Sequence, residues 1–232
     1  MSGAVNFKEC GSVLVTGASR GLGLQIVESL ASGGFSPGKI VATARNPERA
    51  QKLQELASKH SNIHVIALDV VSQESIEKAA AEVTQLLPEH GLNCLINNAG
   101  ISVSADFNTV TAEKMIETFH TNTVAPLMVT KAFLPLLRQA ASRGGAGGSR
   151  SMSIQRAACA LNMVSRCMAL DLEADGILCM AIHPGWVRTD MGGCEAPLSP
   201  EESISSTLSV IGGLTEKDHG SFLDYTGEVL PW

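Results

Sequence analysis

Aromatic side chains make up only 4% of the 232 residues, and there is a single tyrosine, Tyr225. No lysine occurs between Lys131 and Lys217. With 17 basic against 23 acidic residues, the net charge of −6 lacks the basic excess needed to hold a phosphate backbone, so no nucleic-acid partner is expected. No apolar run reaches the roughly 18 residues of a membrane span. The opening MSGAVNFKECGS has neither the charged cap nor the apolar stretch of a signal peptide. No membrane partner and a cytoplasmic location are therefore expected. The six cysteines (Cys10, Cys94, Cys159, Cys167, Cys179, Cys194) include no C-x-x-C spacing and sit mostly in apolar segments, which favours reduced, buried thiols over disulfides or zinc. His60 and His64 are separated by the helix-ending pair Ser61-Asn62 and are not expected to share a metal.

What the chain does have is core: 44% of its residues are apolar and 17% charged, enough for a single domain over 1–232. Residues 12–16 (SVLVT) read as a strand, followed by a glycine-bearing turn and a helix on Leu22, Leu24, Ile26, Val27 and Leu30. The unit repeats. Lys39–Ala44 is a strand, Asn46-Pro47 opens a helix on Ala50, Leu53, Leu56 and Ala57, and 63–68 is a third strand. A stripe through Ile76, Ala79, Ala80, Val83, Leu86 and Leu87 leads to a fourth strand over 93–97. Strands alternating with helices at this pitch predict a parallel, doubly wound α/β sheet. A long helix is expected from Thr111 to Gln139, a further helix over Cys159–Ala174 stopped by Gly176, and a strand over Ile177–Ile182. A capping box, Ser199-Pro200-Glu201-Glu202, opens another helix, and Gly220–Tyr225 supplies a last strand. Between them, 141–158 is Gly-rich and reads as a flexible linker.

The turn after the first strand is Thr16-Gly17-Ala18-Ser19-Arg20-Gly21-Leu22-Gly23. Glycines are wanted where the backbone must turn tightly and approach a pyrophosphate held at a helix N-terminus, so this junction predicts a dinucleotide site. Arg45 closes the second strand where NAD-binding chains carry an acid. With Arg20 in the glycine turn, it offers guanidinium groups to a 2′-phosphate, and NADP (NADPH) is the cofactor expected.

The glycine turn, Asp69-Val70, Asn97-Asn98-Ala99-Gly100, Asn122 in HTNTVAPLMVTKAF and the run Pro184-Gly185-Trp186-Val187-Arg188-Thr189-Asp190-Met191 together resemble the short-chain dehydrogenase/reductase family over nearly the whole chain. The last run, Ala160-Leu161-Asn162-Met163 and the final LPW look most like its small C-factor and sniffer-like carbonyl reductases. The resemblance implies a Rossmann-type fold and an oxidoreductase acting on a small carbonyl substrate. It also implies cofactor contacts from Gly17, Ser19, Arg20, Gly21, Leu22 and Gly23, with Asp69 and Val70 at the adenine. Asn98, Ala99 and Gly100 would lie along the cofactor, with Pro184, Gly185, Val187 and Thr189 at the nicotinamide end.

The family's Tyr-x-x-x-Lys motif and the serine of its fifth strand are not found. Position +4 from Tyr225 is Val229. Counting back from Ala160-Leu161-Asn162 puts Ile154 and Ala158 where tyrosine and lysine belong. A deletion joining Ala158 to Cys159 accounts for this and would remove the fifth strand with the catalytic group. Asn122, which the resemblance implies holds a helix kink and a water of the proton relay, survives as the one residual member of the catalytic set, and with the other members missing a structural role is its expected use. The fold is thus expected to lack, or substitute poorly, one central strand. The segment Ser151–Gln155, with Met152 and Ile154 on one face, either fills the slot or stays mobile. Three functional readings follow from the sequence: an NADP(H)-dependent carbonyl reductase with impaired catalysis, a non-catalytic NADP(H)-binding partner in homo- or hetero-oligomers, and an unstable splice product.

Overall fold

The computed structural model describes residues 10–32, 35, 37–143, 149–154 and 159–231. Among the described residues, seven strands form one parallel sheet in the order β3-β2-β1-β4-β5-β6-β7. They are β1 (Ser12–Val15), β2 (Lys39–Ala44), β3 (Ile63–Ala67), β4 (Cys94–Asn97), β5 (Ser149–Ile154), β6 (Ile177–His183) and β7 (Phe222–Asp224). The helices are α1 (Gly21–Ser32), α2 (Gln51–Lys59), α3 (Gln73–Leu86), α4 (Ala112–Phe119), α5 (Ala125–Ala141), α6 (Cys159–Leu172) and α7 (Pro200–Gly213). Strands covered on both faces can be apolar throughout, and β1 and β4 are buried along their whole length. One core joins the sheet to α1, α2 and α7 through Ile26, Leu30, Leu53, Ile204 and Leu208. The opposite core joins it to α3, α5 and α6 through Ile76, Val83, Phe133, Leu137 and Met168.

Local signals account for most boundaries. Ser199 Oγ accepts the Glu202 N–H at 3.1 Å while the Glu202 carboxylate accepts the Ser199 N–H at 2.8 Å, which is the expected capping box. Gly176 has φ +68° and ends the turn after α6. Two details differ from expectation. Asn46 makes no capping hydrogen bond, so Pro47–Arg49 is a 3₁₀ turn and α2 begins at Gln51. The long helix is interrupted by a π-helical segment, His120–Val124, between α4 and α5. No helix among the described residues is long and apolar enough to cross a membrane.

The slot between β4 and β6 is filled. Of the two arrangements expected there, a strand in the slot is found, starting two residues earlier than Ser151–Gln155, and the sheet does not lack a central strand. β5 pairs with Cys94–Asn97 on one side and Ile177–Ile182 on the other. The flexible linker expected over 141–158 therefore gives way to a central strand over 149–154. Residues 144–148 and 155–158, including the expected junction at Ala158, lie outside the described residues. The physical reason is that ladder hydrogen bonds come from the backbone, so any proline-free hexapeptide supplies them. Alternation then sorts the side chains: Met152 and Ile154 join the α1/α7 core, while Ser151 faces α5, hydrogen-bonding distance from Thr130 at 3.3 Å.

Candidate functional site

The strand order reverses between β1 and β4, where an open α/β sheet forms a ligand crevice at its carboxyl end. The turns after β1, β2, β3, β4 and β6 all lie on that edge and carry the residues expected at the site. Gly17 and Gly21 have φ +68° and +55°. A Cβ on Gly17 would lie 2.9 Å from the Ala99 Cα, and one on Gly23 would lie 2.2 Å from the Gly17 carbonyl oxygen. The turn, the first turn of α1 and the loop after β4 thus approach too closely for any side chain at these positions. Ser19 is half-buried, Leu22 packs on the core, and α1 begins with no acidic residue in its first turn. The positive end of the helix is left for an anion.

Thr16, a residue without an assigned role at the outset, locks the two loops together. Its Oγ1 accepts the N–H groups of Asn98 and Ala99, each at 3.0 Å, and Asn98 Nδ2 donates to the carbonyls of Thr16 and Gly17 at 2.9 and 3.3 Å. The Asn98 side chain is thereby spent on the turn, and the backbone of Asn98, Ala99 and Gly100 forms the wall. Asn122 acts similarly. Its Oδ1 accepts the Ile101 N–H at 2.9 Å and its Nδ2 donates to the Ile101 carbonyl at 2.8 Å, tying the π-helical segment to the loop after β4.

Beyond β3, Asp69 Oδ1 accepts the Val71 N–H at 3.2 Å and steadies the turn into α3, while the half-buried Val70 packs against the core. Arg45 is exposed just past the end of β2. The wall after β6 is built from Pro184, whose carbonyl accepts from Ser203 Oγ at 2.6 Å, and Gly185, at φ +80°. The ring of Tyr225 and the Leu198 side chain pack against Gly185 so closely that a Cβ there would meet Leu198 Cδ1 at 2.5 Å. Val187 is buried, and Thr189 holds a tight turn by accepting the Gly192 N–H at 3.2 Å. The Thr189 Cγ2 lies 3.9 Å from the Cβ position of Gly21, so it faces the glycine turn across the crevice. Arg20 does not stand free: its Nη1 is 3.0 Å from Asp190 Oδ2 on the opposite wall. The sequence shows Asp190 in the motif, but nothing in the motif pairs it with a residue 170 positions away.

The group fits. A cradle that a Cβ would fill, a helix N-terminus free of acids and an exposed guanidinium past β2 suit a phosphorylated dinucleotide. The catalytic side is different. At the end of β4, Asn97 Nδ2 donates to Thr130 Oγ1 at 3.1 Å, and on β5 the buried Ser153 hydroxyl has no partner among the described residues. The sole tyrosine packs under Gly185, with no lysine four residues on.

Known proteins resemble this chain in sequence and in fold. The family model for short chain dehydrogenase matches residues 11–197. Over its full length the chain superposes on the crystal structure of NADPH-bound carbonyl reductase from chicken fatty liver, with a TM-score of 0.93 and 38% identity, covering 100% of both chains. Carbonyl reductase Sniffer of D. melanogaster gives the same TM-score at 35% identity, covering 96% of this chain and 100% of that one. An uncharacterized oxidoreductase of Schizosaccharomyces pombe is 31% identical, covering 94% of this chain and 96% of its own length.

Proposed function

The chain belongs to the short-chain dehydrogenase family, and from that premise we propose that it is an NADP(H)-binding protein of carbonyl-reductase ancestry whose hydride transfer to small carbonyl compounds is impaired. The observation that carries the reading is the glycine cradle fitted against Asn98 and Ala99 with Arg45 exposed beside it, in a chain without the Tyr-x-x-x-Lys pair. The turn Gly17–Gly23 holds the diphosphate, Asp69 and Val70 border the adenine, and Arg45 meets the 2′-phosphate. Asn98, Ala99 and Gly100 line the cofactor, and Thr189 meets the carboxamide. A bound reduced nicotinamide supplies hydride. The chain's own residues would have to supply the proton, and the sole tyrosine, Tyr225, has no lysine four residues on to tune it.

An internal deletion accounts for the missing pair. The alignment with the fission-yeast oxidoreductase runs over 251 positions, more than this chain's 232 residues, so that relative has residues opposite gaps in this chain. A positioned general acid contributes about 10²–10⁴ in rate, and turnover is expected to be lower than that of an intact relative by a factor of that order. The test is NADPH oxidation by the purified chain with an aldehyde or a quinone, beside a fluorescence titration with NADPH. Binding without appreciable turnover is the expected result; turnover equal to that of the chicken enzyme overturns the impairment.

A second reading, a non-catalytic partner for itself or for active relatives, draws on Met115, Ile116 and Phe119 of α4, all more than half exposed. Size-exclusion chromatography of the chain alone and mixed with an intact relative tests it; a chain that runs as a monomer in both removes it.

A further inference from the structure

The lobe that follows β6 is braced almost wholly by itself. Trp186 Nε1 donates to the Gly192 carbonyl at 2.8 Å, and the N–H groups of Gly192 and Gly193 donate to the Thr189 carbonyl at 3.0 and 2.9 Å. Arg188 Nη1 donates to the carbonyls of Ala196 and Pro197, and at the stem the Arg188 N–H donates to the Leu198 carbonyl at 2.9 Å while the Leu198 N–H donates to the Trp186 carbonyl at 3.3 Å. Asp190 projects from the tip of this lobe and meets Arg20, which stands on the glycine turn that opens α1. With Thr189 facing Gly21, the ion pair spans the mouth of the crevice that the glycine turn and this lobe enclose. Both side chains remain about four-fifths exposed, 79% and 81%, so the pair is a solvent-screened tie that an anion of higher charge can displace.

We propose that Asp190 gates the cofactor site by occupying Arg20. Paired with Arg20, the Asp190 carboxylate neutralises the guanidinium that a cofactor phosphate would otherwise attract, and it presents its own negative charge at the entrance. Binding exchanges one anion for another on Arg20: the Asp190 carboxylate leaves and a phosphate oxygen takes its place. The lobe loses its polar tie to the glycine turn in the same step. Arg45, which has no such partner among the described residues, is left as the residue that distinguishes a 2′-phosphate, and Arg20 serves entry and retention of either nicotinamide dinucleotide. This inference rests on the NADP(H)-binding reading of the crevice.

The test is NADPH binding to the full chain, followed by fluorescence at equilibrium and in stopped flow, for wild type, Asp190→Asn, Arg20→Ala and the double variant. Asp190→Asn is expected to tighten binding roughly 2- to 5-fold, the factor that the coupling of an exposed ion pair corresponds to. Association is expected to quicken at low salt, and the gain to vanish near 1 M salt, where the Debye length is about 3 Å. In the Arg20→Ala background the gain should fall to nearly nothing. Unchanged affinity in Asp190→Asn, or an equal gain with and without Arg20, overturns the gate. If no variant binds NADPH, wild type included, the cofactor reading itself fails and the gate falls with it. Wild-type binding with an inert Asp190→Asn sinks the gate alone.

Discussion

Arg150, in the middle of β5, donates from Nη1 to the carbonyl oxygen of Ile211 at 3.1 Å. Ile211 lies in the last turn of α7, whose carbonyls form the negative end of the helix, so the guanidinium closes that end as a basic C-terminal residue would. It does so from the interior. Arg150 is 6% exposed, beside Cys94 on β4, and burial holds its guanidinium below its ordinary range. No carboxylate pairs with it among the described residues. Among the described residues, one face of the strand therefore carries a buried cation with one side-chain hydrogen bond, and the other carries a Ser153 hydroxyl without a partner.

Arg150→Met should stabilise the fold. Replacing even a paired buried charge with apolar side chains of similar volume is neutral or stabilising by about 1–4 kcal/mol, and Arg150 has no carboxylate among the described residues to offset its desolvation. For a domain of this size each 1 kcal/mol moves Tm by roughly 2–4 °C. Ser153→Ala, which removes an unsatisfied buried hydroxyl, should be neutral or add a smaller rise. Thermal melts of the purified variants decide the matter, and a lower Tm for Arg150→Met would mean that the tie to α7 outweighs the burial of the charge.

Gly23→Ala should abolish cofactor binding while costing about 1–3 kcal/mol of stability. The added methyl would lie 2.2 Å from the Gly17 carbonyl oxygen and 2.6 Å from Asn98 Nδ2, so backbone must move in the turn and in the loop after β4 at once. A titration with NADPH and a melt of the variant measure both effects.

Arg45→Asp should remove the preference for NADPH over NADH. The wild type is expected to bind NADPH more tightly than NADH, and the variant to lose that margin, because an acid at the end of β2 accepts ribose hydroxyls and repels a 2′-phosphate. Parallel fluorescence titrations with both cofactors give the ratio directly. Equal wild-type affinities would remove Arg45 from the site.

Burial pushes the Cys10 thiol up to about 11 and that of Cys179 to about 12, and raises Cys94 well above its ordinary value. Cys159, Cys167 and Cys194 are exposed. Iodoacetamide at pH 8 should label the exposed three in the native chain and reach the other three only after denaturation, which mass spectrometry reads. The raised values also fix a sign. The native state holds these protons more tightly than the unfolded chain, so their contribution is full below the ordinary thiol value of 9.0 and is lost as pH climbs toward 11 and 12. Urea melts at pH 7 and pH 10 should show lower stability at the alkaline value.

The alternation of strands and helices, the glycine cradle and the capping box at Ser199 were legible in the sequence because each is encoded within a few residues, by side-chain period, by φ or by a cap. The missing Tyr-x-x-x-Lys pair was equally legible, since it is a matter of which residues are present. Tertiary structure alone decided that Ser149–Ile154 enters the sheet, because the neighbours that pair with it, Cys94–Asn97 and Ile177–Ile182, lie far away in the chain and recognise backbone rather than side chains. It alone buried Arg150, spent the Asn98 amide on the glycine turn and set Asp190 against Arg20. In each case the partner is distant in sequence. A side chain's charge and hydrogen-bonding groups are written in the sequence, but what satisfies them depends on which distant segment the fold brings within about 3 Å.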